Sequence, residues 1–276
     1  MAILSVDDVA SGFASSPGPV RFRKTGVTME EQGILHSTWY ETGIPGAGSA
    51  PSPGIDGAAL TSDPTMVTGQ IPFVKAATGA NKHLGLIKGR ASTSGTLYLM
   101  DRIWHNSGIS ITTTTAQTIN FSAYGNRDVD GAALGNGVLA AIEVSSSTGG
   151  GSPITNTTIS YTNEAGTSGR TGTLPSFPAT AIAGTFCEFY LAAGDKGIRS
   201  IQSITLGTSY TSGTIHLILY RILASLQFSA ALARDLQTWD QLGLPRLYDG
   251  TVPWFVWEAD SIGAANFDGH LAYAEK

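Results

Sequence analysis

Residues 214–221 read TIHLILYR, a run that is nearly continuous in apolar side chains. A short apolar run of this kind is typical of a strand that is covered on both faces of its sheet. Residues 198–206 read IRSIQSITL, in which alternate side chains fall on opposite faces, as they do in a strand. The two segments therefore predict a β-sheet in which residues 214–221 form a central strand.

Further strand candidates lie on both sides of these segments, and clusters of Gly, Asn, Asp and Ser separate them as turns. They are residues 96–104, 109–115, 138–144, 157–162, 186–191, 252–258 and 270–273. Many short strands at this spacing predict an all-β, jelly-roll-like antiparallel β-sandwich. Ser229 is placed to cap one short C-terminal helix, which Gly243 and Pro245 would end.

The composition agrees with a β-protein. The 276 residues include 34 Gly and 12 Pro, and only 13% are charged, which excludes a coiled coil or another long-helix protein. With 42% apolar residues the chain can bury a core, so we expect it to fold rather than remain disordered. We find no repeat with a period of roughly 20 to 50 residues, so neither a solenoid nor a propeller is expected.

The N-terminal part of the sequence differs, because prolines interrupt it at positions 17, 19, 45, 51, 53, 64 and 72. Proline fixes φ and lacks an amide donor, so we expect neither a long helix nor a central strand here. The segment nevertheless has apolar residues to bury, such as Trp39 and Phe73. We therefore predict that residues 1–83 form an extended arm that lies over another subunit, and that residues 84–276 form the sandwich domain.

The charge balance bears on possible partners. The net charge is −5, so we expect no basic field that would attract nucleic acid or an anionic membrane. No apolar run reaches the roughly 18 residues that a spanning helix needs. Residues 1–9 contain Asp7 and Asp8 but no basic residue, so no signal peptide is predicted and we expect a protein that stays in the cytoplasm in which it is made. The single cysteine, Cys187, lies in an apolar run and is expected in the core.

Motifs for catalysis or cofactor binding are missing from the sequence. Residues 207–211 lack the second glycine of a nucleophile elbow, no phosphate-binding or dinucleotide loop occurs, and the five histidines are dispersed. A glycosidase would need two carboxylates that face each other across a sugar bond. The carboxylates on or beside predicted strands are Glu143, Glu188, Asp195 and Glu258. We expect no catalytic residue, no cofactor and no metal, and hence no enzyme.

Residues 126–131 read NRDVDG and match the first half of a calcium-binding loop, with oxygen-bearing side chains at alternate positions and glycine at the sixth. The twelfth position is Gly137, where the motif needs a bidentate Glu. A polar turn between strands is therefore favoured, and a calcium site stays open as the alternative.

An aromatic cluster occurs near the C-terminus at Trp254, Phe255 and Trp257. Adjacent bulky residues occupy both faces of a strand, so a core or a subunit contact is favoured over a platform for a glycan. The candidates for an intersubunit interface are Trp39, Tyr40, Ile55, Phe73, Trp254, Phe255 and Trp257.

Several phrases of the sequence occur together in one known family. They are WHNSGISITTTTAQ at residues 104–117, GNGVLAAIE at 135–143, SYTNEAGT at 160–167, LAAGDKGIRSIQ at 191–202 and LPRLYD at 244–249. In this order they resemble virion structural proteins of tailed bacteriophages, over roughly residues 97–256. The resemblance includes no catalytic motif. It implies a structural role, as a decoration or cement protein on the capsid exterior.

The leading hypothesis is a cement protein that stabilises the capsid by bridging neighbouring major capsid subunits. It would associate with copies of itself around a symmetry axis, for example as a trimer, and clasp its neighbours with the arm. It would be made in the host bacterial cytoplasm and end on the capsid exterior, with neither nucleic acid nor membrane as a partner. The alternative is a tail or receptor-binding module that binds host surface polysaccharide through Trp254, Trp257 and the carboxylates. A cellular β-sandwich with an unknown small ligand is the third hypothesis.

Overall fold

The chain is built mainly from antiparallel β-strands, as a computed structural model shows for residues 3–28, 32–52, 54–62 and 68–276. The all-β prediction is confirmed. In chain order the elements are α1 (Val6–Ser15), β1 (Val20–Thr28), β2 (Leu35–Ser37), a 3-10 helix (Thr38–Tyr40), β3 (Gly43–Ile44), β4 (Ala58–Ala59), β5 (Lys82–Ala91), β6 (Gly95–His105), β7 (Gln117–Thr118), β8 (Leu139–Gly149), β9 (Thr157–Asn163), β10 (Arg170–Leu174), β11 (Thr185–Glu188), β12 (Ile198–Thr205), β13 (Ser212–Phe228), β14 (Arg234–Thr238), α2 (Trp239–Leu242), β15 (Arg246–Leu247), β16 (Pro253–Ala259) and β17 (Ala264–Glu275).

The chain divides into two compact units. Unit 1 contains residues 1–49, 61–101 and 222–276, and unit 2 contains residues 50–60 and 102–221. The boundary that the sequence predicted, between residues 83 and 84, falls inside β5. The units are described separately below.

Unit 1 is a sandwich of two antiparallel sheets. The larger sheet has the strand order β14-β5-β17-β1-β3, and β15 also pairs with β5. In the smaller sheet, β16 pairs with β2 on one edge and with residues 95–101 of β6 on the other. Aromatic rings from the two sheets meet between them: the ring centroids of Phe22 and Phe255 are 4.4 Å apart, and those of Trp257 and Phe267 are 5.8 Å apart.

The described part of residues 1–83, for which we predicted an extended arm, includes a strand that lies within the larger sheet and side chains that are buried in the core of unit 1. Strand β1 lies inside the larger sheet, where it pairs with β17 from Val20↔Leu271 to Thr28↔Ala264. Phe22 and Phe73 are buried in the core of unit 1. The segment finds its burial within its own chain because β1 is free of proline and has alternating apolar residues. Pro53 and Pro64, which supported the prediction, lie outside the described residues.

The N-terminal helix α1 was also not predicted from the sequence. It begins at an N-cap, where the Ser5 hydroxyl accepts a hydrogen bond from the Asp8 amide at 3.1 Å. The Asp8 carboxylate pairs with the Lys276 ammonium at 2.9 Å, and Gly12 lies against the backbone of Glu275. The helix is therefore held against the end of β17.

Unit 2 contains a sheet of strand order β10-β9-β12-β7, together with a ladder in which β8 pairs with β13 on one side and with β11 on the other. Residues 215–220 of β13 are all fully buried, which confirms that this run is covered on both faces. Burial alternates residue by residue along β9, so one face of that strand is turned to the core. Cys187 is buried in β11, as predicted.

The predicted C-terminal helix exists but is shorter than expected. Residues 234–238 pair with β5 as strand β14, so the helix begins only at Trp239. Gly243 ends it with a left-handed backbone conformation (φ 65°), which glycine adopts without strain. The sequence therefore located the end of this helix correctly and its beginning wrongly.

We expect the substitution Phe22→Ala to reduce the free energy of unfolding of unit 1 by about 3–5 kcal/mol, because it leaves a cavity between the two sheets. Urea denaturation followed by intrinsic fluorescence measures this loss. The control is Val6→Ala in α1, where the side chain is exposed and the change should stay within about 0.5 kcal/mol. Equal effects of the two substitutions would contradict the placement of β1 in the core.

Candidate functional site

The seven interface candidates from the sequence lie mostly inside the fold. Trp39, Phe73, Trp254, Phe255 and Trp257 are buried, whereas Tyr40 and Ile55 are half-buried. The Trp254 indole donates a hydrogen bond to the Ser37 hydroxyl at 3.1 Å, and the Trp39 indole donates to the Ser49 carbonyl at 2.8 Å. The tryptophans are therefore core residues of unit 1, and neither Trp254 nor Trp257 offers a surface for a glycan.

The four carboxylates that the sequence singled out each have donors from their own chain. Glu258 accepts a hydrogen bond from the Tyr98 hydroxyl at 3.0 Å, and Glu188 accepts one from Tyr220. The contacts of Asp195 and Glu143 are more extensive and form two separate polar centres in unit 2.

The first polar centre is a fully buried ion pair between Arg102 on β6 and Glu143 on β8. The guanidinium donates two hydrogen bonds to the carboxylate, at 2.8 and 2.7 Å, and neither side chain is exposed to solvent. Arg127 donates to the backbone carbonyl of Arg102 at 3.1 Å. A buried charge pair needs this bidentate geometry because its attraction has to offset the loss of hydration of both groups.

Two histidines, His105 and His216, surround this ion pair. His216, opposite Glu143 in the β8–β13 ladder, lies 2.9 Å by Nδ1 from the Asn106 carbonyl and 2.6 Å by Nε2 from the Ser145 hydroxyl. A carbonyl can only accept, so Nδ1 carries a proton, whereas the Ser145 hydroxyl can either donate to Nε2 or accept from it. The Arg102 Nε–H donates to His105 Nδ1 at 3.4 Å, so that nitrogen carries no proton.

The electrostatics of the cluster agree with neutral imidazoles. Burial, reinforced by the positive charge of Arg102, lowers the pKa of His105 to about 3. Burial also lowers the pKa of His216 below its ordinary value, although Glu143 opposes that change. A proton on either ring would place a second positive charge beside Arg102 in a dry interior.

The second polar centre is built around Asp195, in the loop after β11. Its carboxylate accepts hydrogen bonds from Arg170 and Asn163, both at 2.8 Å, and from the Tyr161 hydroxyl. The Arg170 guanidinium, helped by Tyr161 and Asn163, lowers the pKa of Asp195 to about 2. This carboxylate is therefore ionised and fully occupied by donors, which fits a loop anchor better than an acid catalyst.

A groove of about 450 Å³ lies beside this centre, lined among others by Glu188, Tyr190 and Lys196. Tyr190 is the aromatic residue with the greatest exposure among the described large apolar residues, at 68%. The groove thus combines an exposed ring with charged side chains.

The NRDVDG segment forms a polar turn. The Asp128 carboxylate accepts hydrogen bonds from four backbone amides, those of Asp130, Ala132, Leu134 and Gly135, at 2.7–3.1 Å. The carboxylate oxygens that a cation would need are thus already used to shape the loop. Across the described part of the chain, no group of three or more His, Cys, Asp or Glu side chains is arranged to hold a metal ion.

The residues at the centre of unit 2 were not identified from the sequence. Arg102 follows Asp101 inside an otherwise apolar strand, and two charges in such a strand are a signal of a buried polar contact. His216 likewise interrupts the apolar run 214–221. The partners could not be found this way, because Arg102 and Glu143 are 41 residues apart.

Within the described residues, no helix is both long and apolar enough to cross a bilayer.

We expect Arg102→Met to reduce the free energy of unfolding by about 3–5 kcal/mol, because Glu143 is left buried without its cation. Adding Glu143→Leu should recover most of this loss, since an apolar pair replaces the ion pair without an isolated charge. A double-mutant cycle by urea denaturation measures both effects. The matched control is the exposed pair Arg90 and Asp268, for which Arg90→Met should cost less than about 1 kcal/mol.

We also expect acid to destabilise the protein before most carboxylates titrate. The folded-state pKa values of His105 and His216 lie below the unfolded value of 6.5, so the unfolded chain binds more protons as pH falls below 6.5. Stability is therefore present in full above the unfolded value and lost as pH falls below it, with a slope that approaches about 1.4 kcal/mol per pH unit for His105 and a further loss in the same direction from His216. Denaturation at pH 7.5, 6.0 and 5.0 measures the slope. His105→Asn should make it shallower, and an unchanged slope would contradict a neutral His105.

Comparison with known proteins adds little to this description. No protein-family model matches the sequence, and no curated protein matches it significantly. Among solved structures, the chain is similar to the protein of T=1 particles derived from infectious bursal virus, with 9% identity and a TM-score of 0.20, covering 93% of this chain and 77% of that chain. It is similar to the VP2 subviral particle of infectious bursal disease virus, with 9% identity and a TM-score of 0.17, covering 93% of this chain and 80% of that chain. TM-scores this low carry no argument, so the fold class rests on the strands described above.

Proposed function

We propose that this protein is a structural component of a phage virion. More specifically, it is a cement or decoration protein on the capsid exterior that bridges neighbouring major capsid subunits. The observation that carries the proposal is that charged side chains in unit 2 are paired with one another. Glu143 and Asp195, two carboxylates that a glycosidase could have used, are bound by Arg102 and Arg170 of the same chain. Together with the phage-like sequence phrases, this supports a protein whose polar interior holds a rigid body rather than performs chemistry.

Many copies on a shell can stabilise it even when each contact is modest. A standard specific interface buries about 1,600 Å² in total, and repetition over a lattice multiplies the gain from each copy. The pairing of residues 20–28 within their own chain supports a bridging surface on the body of the protein rather than on an arm. Tyr40 and Ile55 retain exposed surface among the earlier candidates, and we propose these two as contact residues. Copies of the chain associate as a homo-oligomer such as a trimer.

Quantitative mass spectrometry of purified particles tests the virion role. We expect a copy number within a few-fold of the major capsid protein, and chemical cross-links between the two proteins. The protein, made in the host bacterial cytoplasm, should be labelled on intact particles by an antibody that cannot enter the shell. Detection of only a handful of copies, or cross-links to tail proteins alone, would reject the cement assignment.

A tail or receptor-binding module is the second candidate function, and one observation favours it. Tyr190 is exposed in a groove with Glu188 and Lys196, and an exposed ring beside polar groups can stack on a sugar. This function predicts that the purified chain binds host surface polysaccharide and that Tyr190→Ala weakens this binding roughly tenfold. Tyr190→Phe is the matched control, because it keeps the ring. No binding by the wild-type chain would remove this candidate.

A further inference from the structure

The outward face of the larger sheet of unit 1 carries a concentration of basic residues. Adjacent strands place them in two rows. One row contains Arg23 on β1, Asp268 on β17, Arg90 on β5 and Arg234 on β14, and the other contains Arg21, His270, Lys88 and Leu236 on the same strands. Residues that are directly opposite in antiparallel strands project to the same side of the sheet. We call this surface, defined by these eight residues, the basic face.

The basic face is exposed and compact. All four arginines and Lys88 are exposed, whereas the residues that alternate with them, such as Phe22 and Ile87, are buried in the core. With strands about 4.8 Å apart, each row of four side chains spans about 14 Å. Two shallow grooves of about 410 and 560 Å³ lie on this surface and share Arg90 and Asp268. The face is therefore concave enough to receive another surface.

The distribution of charge sets this face apart from the rest of the molecule. The whole chain has a net charge of −5, and the face contributes five formal positive charges against the single Asp268, so the remainder of the chain carries −9. Local fields of this kind guide association even when the net charge has the opposite sign. The net charge alone had indicated that no basic field exists.

The arrangement is unfavourable for an isolated sheet. Arg90 and Arg234 are directly opposite each other, and like charges at opposite positions destabilise a pair of strands. Asp268 relieves this repulsion only in part, through one ion pair with Arg90 at 2.8 Å. A partner with negative charge would remove the rest of the repulsion.

We propose that the basic face is the docking surface for a carboxylate-bearing protein surface, which in the particle belongs to a neighbouring capsid subunit. The inference rests on the proposed function for the identity of that neighbour. Its chemistry rests on the face itself. Arginine pairs with carboxylates through two parallel hydrogen bonds and is enriched at protein interfaces. On the face itself, the Arg90 Nε–H donates a single hydrogen bond to the Asp268 carboxylate at 2.8 Å.

Two features favour a protein over the phosphate backbone of a nucleic acid. Asp268 lies within the basic row, where a phosphate chain that crosses the face would meet a carboxylate. Leu232 and Leu236 are exposed beside the cations, at 67% and 48%, and apolar side chains suit a protein interface.

The first experiment measures binding to particles. The chain is added to particles that lack it, and co-sedimentation is followed at several salt concentrations. We expect wild-type binding at about 0.1 M NaCl and its loss towards about 1 M, because salt screens the face.

A triple variant with Arg21→Glu, Arg23→Glu and Arg234→Glu should bind roughly tenfold more weakly. The matched control has the same charge change outside the face, with Lys75→Glu, Arg199→Glu and Arg246→Glu, all at exposed positions; it should bind within about twofold of the wild type.

The face variant should fold normally, since Arg234→Glu turns a like-charge pair into an opposite-charge pair. Arg23→Glu in turn places a carboxylate opposite Asp268, so the two changes offset each other and the melting temperature is expected to stay close to that of the wild type. Wild-type affinity of the face variant for particles, or binding that does not change with salt, overturns the proposal.

The second experiment uses the isolated chain and separates this inference from the virion role. Fluorescence anisotropy compares labelled poly-L-glutamate with a duplex DNA of about 20 base pairs. We expect tighter binding to poly-L-glutamate and its loss in the face variant alone. If particles do not bind the wild type but poly-L-glutamate does, the virion role fails and the carboxylate preference of the face stands. Tighter binding to the duplex, or no binding to poly-L-glutamate, overturns the proposal.

Discussion

The pairing of β17 with both β1 and β5 is the interaction on which unit 1 depends. It joins residues near the two ends of the sequence, with Val20 opposite Leu271, and places a strand from residues 82–91 on the other edge of β17. Phe22 and Phe267 project from these strands towards Phe255 of the smaller sheet, so the core forms only when all three parts of the chain are assembled. Contacts between such distant residues close long loops before they bury apolar surface, which makes this sheet a late and cooperative product of folding.

Unit 2 uses a different kind of centre. The Arg102–Glu143 pair replaces apolar packing at a fully buried position, and a buried ion pair is seldom more stable than the hydrophobic residues that could replace it. The contribution of the pair is to fix how neighbouring strands are positioned relative to one another. Its bidentate hydrogen bonds, and the Nδ1–H of His216 on the Asn106 carbonyl, fix which residues of β6, β8 and β13 lie side by side. In a unit with many similar short strands, such contacts oppose a shift of register that apolar packing alone would tolerate.

The sequence was informative where a strand is defined by its own residues and uninformative where a partner defines it. Residues 157–162, 214–221 and 252–258 were recognised because alternation or continuous apolarity is a local property. Strand β1 was missed, although VRFRKTGVT alternates, because its partner is about 250 positions away and prolines dominate the flanking segments. The tryptophans at 254 and 257 were ranked as core or interface, and only the packing of two sheets decides between these. The ion pair and the basic face both result from strand register. Strand register cannot be deduced from composition or net charge.

Register also explains why the basic face points to function. Along the sequence Arg21, Lys88 and Arg234 are unremarkable surface residues, far apart from one another. The sheet brings them together and sets Arg90 against Arg234, although an acid in place of Arg234 would turn this like-charge pair into an opposite-charge pair. In most natural proteins the local sequence preferences agree with the global fold. The exceptions occur mainly at functional sites, where the function sets a requirement that outweighs stability. A partner that supplies the missing carboxylates is such a requirement. In the proposed complex, the same charges that weaken the isolated sheet would orient the protein on its neighbour.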